Sequence, residues 1–161
     1  MEKPIVTIEN ADMRIIYIRF RGTYQEFRKN SRKLFQQLFD FAESNNLIIP
    51  DFTKVLTIYH DNPFITNEKQ LRTSVAMTVP PIIPIEESGD ICITEISGKF
   101  GVGHFEITAG EYGAAWNYMY EEWLFPGEQK PRDAVPFELY VTEPPKNFKS
   151  KSFTDIYIPI E

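Results

Sequence analysis

The chain has one cysteine in 161 residues, Cys92, which excludes an internal disulfide framework. Its place between two isoleucines predicts a buried, inert thiol in a reducing compartment. Histidine is nearly as scarce: His60 and His104 stand in no metal-ligand spacing with each other or with Cys92, so neither a metal nor a cofactor is expected. No apolar run approaches the ~20 residues of a membrane span. The start Met1-Glu2-Lys3 does not resemble a signal peptide, and a soluble, cytoplasmic protein is expected. Basic charge is outweighed, with 17 Lys and Arg against 23 Asp and Glu and a net charge of −6, which opposes nonspecific attraction to nucleic acid or anionic lipid. The clusters that exist, Arg28, Lys29, Arg32 and Lys33 on one predicted helix and the loop from Lys146 to Lys151, read as solvated surface. The eight glycines form no phosphate-cradling loop, because Gly98, Gly101 and Gly103 fall within strand-like sequence with no helix start directly behind them.

Apolar material is plentiful. Hydrophobic residues make up 42% of the chain and aromatics 14%, enough to bury a sizeable core in one domain or in two small units sharing one. The most informative stretch runs from Thr108 to Tyr140. Thr108 and Glu111 fit a capping box, which predicts a helix start. Tyr112, Trp116, Tyr120 and Trp123 then fall within one narrow arc at about 100° per residue. Pro126 and Gly127 end this helix, and the alternation of Phe137-Glu138-Leu139-Tyr140-Val141 sends Glu138 and Tyr140 to one side of a strand and the three apolar residues to the other. An acid beside an aromatic wall is a candidate ligand site.

The order of elements suggests a duplication. Pro4 to Glu9 and Ile15 to Phe20 read as strand, with turn chemistry at Asn10-Ala11-Asp12, giving an opening hairpin or one bent strand. Thr23 and Glu26 cap a helix running roughly from Tyr24 to Ser44, and strands follow at Val55 to His60 and Arg72 to Val79. Ile91 to Glu106 opens a second unit as a bent strand or hairpin around Ser97-Gly98. Thr23 and Glu26 match Thr108 and Glu111. Tyr59 and Pro63 match Tyr140 and Pro144, and Thr73 to Met77 matches Thr154 to Ile158. Two repeats of about residues 1–82 and 88–161 are expected, joined across a pseudo-twofold with a groove between them, where small ligands bind.

These pieces also carry a family resemblance. Tyr17-Ile18-Arg19-Phe20-Arg21-Gly22-Thr23-Tyr24, Ile58-Tyr59-His60-Asp61-Asn62-Pro63 and Leu71-Arg72-Thr73 resemble the first half of the GyrI-like small-molecule-binding superfamily. Its second half is similar to Gly98-Lys99-Phe100, Phe105-Glu106-Ile107, Glu111-Tyr112-Gly113-Ala114-Ala115-Trp116, Glu122-Trp123-Leu124, Phe137-Glu138-Leu139-Tyr140 and Asp155-Ile156-Tyr157-Ile158-Pro159. The resemblance covers nearly the whole chain. It implies an α+β fold of the SHS2 type, with duplicated strand-helix-strand-strand modules, an antiparallel sheet and pseudo-twofold symmetry. The family includes effector-binding domains of AraC-type regulators, stand-alone proteins related to a DNA gyrase inhibitor, and some hydrolases of cyclopropane-containing genotoxins. No helix-turn-helix region precedes residue 1, so a stand-alone form without direct nucleic-acid contact is expected. The family's central pocket carboxylate matches Glu138, and the resemblance implies aromatic, often cationic or amphipathic ligands.

The expected ligand-binding residues are therefore Glu138, Tyr140, Tyr112, Trp116, Tyr120, Trp123, Tyr59 and Glu106. Each has an alternative. Glu138 suits either ligand recognition or a structural carboxylate held by Tyr or backbone donors, and the rings suit either a wall for a flat cation or plain core packing. Glu106 is a second acid or an exposed strand residue. His60-Asp61 lies in a turn, where sequence neighbours rarely make triad geometry. Two functions use the same pocket: an effector-binding or sequestering protein, or a hydrolase of strained-ring toxins with Glu138 as general base. A protein partner is a further possibility in view of the gyrase-inhibitor relatives.

Overall fold

A computed structural model describes residues 1–143, 147 and 149–161. Pro144, matched above to Pro63, and part of the 146–151 loop lie outside the described residues. The elements run β1 (Ile5–Arg21), α1 (Tyr24–Ser44), β2 (Val55–Tyr59), β3 (Arg72–Val79), β4 (Ile91–Ile107), a second helical run, β5 (Phe137–Tyr140) and β6 (Ser152–Pro159). The second run has three parts: a 3₁₀ turn (Ala109–Glu111), the short helix α2 (Tyr112–Asn117) and a π-helical stretch (Tyr118–Leu124). This is a mixed α+β fold with two strand-helix-strand-strand modules. Of the described helices, none is long and apolar enough to cross a membrane.

The chain forms two compact units, residues 12–97 and residues 1–11 with 98–161. In the first, β3 lies between β1 and β2, antiparallel to both. α1 begins with a complete capping box, Glu26 N–H donating to Thr23 Oγ1 and Thr23 N–H to Glu26 Oε1. Its apolar stripe, including Phe27, Leu38 and Ala42, packs on Ile16, Ile18, Val75, Met77 and Val79 of the sheet. Arg28, Lys29, Arg32 and Lys33 are exposed, as their phase predicts.

The second unit repeats this order. β6 lies between β4 and β5, antiparallel to both. Phe105, Ile107, Ile156, Ile158 and Ile160 of its sheet pack against Ala115, Met119 and Leu124 of the helical run. The registers correspond residue by residue: Tyr59 faces Thr73 as Tyr140 faces Thr154, and Phe20 faces Thr73 as Phe105 faces Thr154.

One local expectation changes and two open alternatives are decided. Of an opening hairpin or one bent strand, β1 is the single strand, running unbroken through Asn10-Ala11-Asp12. β4 is likewise one strand, Gly98 absorbing the bend at φ 108 where any side chain is disfavoured. Cys92 is half-buried instead of buried: Ile91 takes the inward position, and strand alternation turns Cys92 the other way.

Candidate functional site

Alternation on β5 puts Glu138 and Tyr140 on the same face, opposite Phe137 and Leu139. Phe137 stacks on Tyr157, centroids 4.4 Å apart and planes at 15°, which fixes the strand's other face. Glu138 is only 4% exposed, between the buried Phe137 and Leu139. Burying a carboxylate demands donors. Tyr140 supplies one, its hydroxyl donating to Glu138 Oε2 at 2.7 Å, and the indole Nε1 of Trp116 donates to Oε1, also at 2.7 Å. Each oxygen is thus addressed by an aromatic side chain, one from the strand and one from α2.

The remaining rings radiate from this pair. Tyr112, one helical turn before Trp116, shares a hydrogen bond of 2.8 Å with Thr154 on β6. Its hydroxyl is held above the usual phenol range by burial first, with the nearby Glu138 charge adding to the effect. Tyr120 stacks on Trp116, with centroids 6.3 Å apart and planes at 21°. The arrangement is a buried carboxyl group whose two oxygens accept from two aromatic side chains, with the Tyr120 ring stacked behind one of them. Among the described residues no group of three His, Cys, Asp or Glu side chains is placed to hold a metal ion.

Comparison with known proteins shows the family of the chain. The model of the GyrI-like small molecule binding domain matches residues 1–161. The chain belongs to the GyrI-like family. It is 32% identical over 111 residues to DNA gyrase inhibitor 2 of Dickeya dadantii (strain 3937), covering 68% of each chain. Among solved structures, the EcmrR C-terminal domain matches with a TM-score of 0.76 at 16% identity, covering 98% of both chains. SAV2435 bound to tetraphenylphosphonium matches with a TM-score of 0.58 at 13% identity, covering 98% of this chain and 94% of that one.

In this GyrI-like protein the residues expected at the site divide. Glu138, Tyr140, Trp116 and Tyr120 are linked by direct contacts, and Tyr112 stands beside them on Thr154. Trp123 packs on the same core cluster as Tyr112, Trp116 and Tyr120, but its ring lies against Gly101 of β4, where a Cβ would overlap it. The π stretch is the physical reason, since it takes the later residues out of the 3.6-residue phase that the sequence pattern assumed. Glu106 is exposed on β4 opposite Phe153. Tyr59 belongs to the other unit, where its ring meets Tyr24 edge-on at 5.7 Å.

At the position of Glu138 the first unit has Thr57, and at that of Tyr112 it has Phe27, so the acid and its phenol neighbour belong to one repeat only. The His60-Asp61 pair is not a triad: Asp61 binds the Arg72 guanidinium and backbone N–H, while His60 Nε2 meets Ser74 Oγ at 2.6 Å. Sequence reading missed a second polar cluster. His104 Nδ1 lies 2.9 Å from Asp155 Oδ1 and its Nε2 2.9 Å from Thr7 Oγ1, residues that three different strands bring together. The shallow concavity on α1, lined by Lys29, Arg32, Lys33, Gln36, Gln37 and Asp40, is solvated helix surface and contains no residue of the site.

Proposed function

We propose that this GyrI-like protein binds aromatic monocations, with Glu138 as the charge-recognising group and Trp116, Tyr120 and Tyr140 as the surrounding surface. The observation that carries the reading is the buried Glu138 carboxylate with an aromatic donor on each oxygen. A solvated anion would discriminate poorly between cationic and neutral ligands; one held within rings at low dielectric discriminates well. A ligand cation shares the carboxylate with the Trp116 indole N–H and the Tyr140 hydroxyl, since the two oxygens together offer about four acceptor sites. A similar chain in complex with tetraphenylphosphonium supports this ligand class.

The test is calorimetric titration of tetraphenylphosphonium and of neutral triphenylphosphine oxide into wild type and Glu138→Gln. The amide oxygen still accepts from Trp116, and the amide N–H₂ donates to a Tyr140 hydroxyl turned to accept, so shape and bonding persist without charge. Charge-assisted contacts are worth about 1.5 to 3 kcal/mol, so the cation loses roughly 10- to 150-fold in affinity and the neutral ligand little. Equal weakening of both ligands refutes the charge role.

A second reading follows from the relatives called DNA gyrase inhibitors. In it the chain also binds and inhibits DNA gyrase. A supercoiling assay with purified gyrase and rising concentrations of the protein tests it, and unchanged supercoiling at excess protein rejects it.

A further inference from the structure

The π-helical stretch changes which side chains share a face. In an α-helix, residues five apart lie about 140° apart at about 100° per residue, so Phe125 would point well away from Tyr120. Here the Phe125 backbone N–H donates to the Tyr120 carbonyl at 2.9 Å, an i to i+5 bond that places Phe125 directly after Tyr120 on the same side. Their rings lie 6.1 Å apart at 37°. With the Trp116–Tyr120 stack at 6.3 Å, three rings form a continuous ladder that starts at the Glu138 carboxylate, where Trp116 donates to Oε1. It ends at Phe125, which is 70% exposed.

The Phe125 ring packs on Tyr120 and is otherwise open to solvent. Pro126 follows immediately, and the turn closes through the Gly127 N–H onto the Leu124 carbonyl, so the backbone beneath the ring is fixed. We propose that Phe125 is an outer stacking residue of the ligand site, selecting elongated multi-ring cations over compact single-ring ones. The cationic end lies toward Glu138 and the far aromatic end lies on Tyr120 and Phe125, two ring-to-ring steps out. This rests on the aromatic-cation reading above and adds to it a length requirement. Ring contacts of this kind carry sequence-tolerant, shape-tolerant affinity, so the residue sorts ligands by reach and not by hydrogen-bond pattern.

The test titrates ethidium, a multi-ring planar cation, and benzyltrimethylammonium, a single-ring cation, into wild type, Phe125→Leu, Phe125→Ser and Glu138→Gln. Phe125→Leu keeps an apolar side chain and removes only the ring, and melting curves confirm that each variant is folded. The expected result is a loss of roughly 3- to 10-fold for ethidium in both Phe125 variants, with benzyltrimethylammonium unchanged. Glu138→Gln weakens both cations. Equal effects of the Phe125 variants on the two ligands, or none on either, overturn the outer subsite. If Glu138→Gln changes neither affinity while the Phe125 variants still weaken ethidium alone, the charge reading falls and the stacking subsite stands. Absence of binding of both cations to wild type overturns both.

Discussion

Replacing Thr73 and Thr154 by valine, one at a time, tests the duplication at the level of a single hydroxyl. The two threonines hold the same register position, Thr73 opposite Tyr59 and Thr154 opposite Tyr140, and both are fully buried. Their hydroxyls differ in partner: Thr154 Oγ1 meets the Tyr112 hydroxyl at 2.8 Å, whereas Thr73 Oγ1 has no hydrogen-bond partner among the described residues. The residue standing where Tyr112 stands, immediately after the capping glutamate, is Phe27 in the first unit. A buried hydroxyl left unbonded costs about 1 to 3 kcal/mol, so Thr73→Val stabilises the protein by about 1 kcal/mol. Thr154→Val removes a bond worth about 0.5 to 1.5 kcal/mol while the Ser152 side chain stays beside the phenol, so it destabilises by about 1 kcal/mol. The two variants should therefore differ by about 2 kcal/mol in urea unfolding, with equal slopes. Phe27→Tyr should give Thr73 the missing partner and stabilise by up to about 1 kcal/mol, a gain that disappears in the Phe27→Tyr, Thr73→Val double variant. Stability changes of the same sign for the two Thr→Val variants would refute the reasoning.

Other consequences concern packing and pH. Gly101→Ala places a methyl where the Trp123 ring lies, so the ring must move; the expected cost is about 1 to 3 kcal/mol, read by urea unfolding together with a red-shifted tryptophan emission. His60 is lowered to about 4, by burial first and then by the Arg19 and Arg72 charges. Because the folded value lies below the unfolded one near 6.5, the unfolded chain binds more protons between them. Stability is fully present above pH 6.5 and falls as pH drops toward 4. A stability–pH curve should show His60→Gln with a shallower loss across this window than wild type, and an unchanged slope would reject the histidine's role. Asp61, lowered chiefly by its hydrogen bond to Arg72, contributes at more acid pH: its stabilisation is present above its unfolded value and is lost as pH falls below it.

Much of the fold could be read from local chemistry. The Thr23/Glu26 box and the apolar stripe behind it place α1 at Tyr24 to Ser44, because capping and helical phase are decided within a few residues of chain. The alternation of β5 puts Glu138 and Tyr140 on one face for the same reason. The duplication was visible too, since matching caps and strand residues recur in order, and the registers follow them.

Tertiary structure decided what depends on distant partners. Asn10-Ala11-Asp12 has turn chemistry and leaves a hairpin and one strand both open, and β1 runs straight through it. The spacing of Trp123 suggests that it joins the aromatic face, but the π stretch and the side-chain-free backbone of Gly101 draw it to β4, while the same stretch delivers Phe125 to Tyr120. Helix phase is uniform only where every hydrogen bond closes at the same interval, and no local residue pattern here signals the change of interval. The His104, Asp155 and Thr7 contacts join strands far apart in sequence. Which donor meets each oxygen of Glu138 is likewise a property of the packed helix and sheet. The residue types at the site were set by sequence, and their partners by the distances that only packing creates.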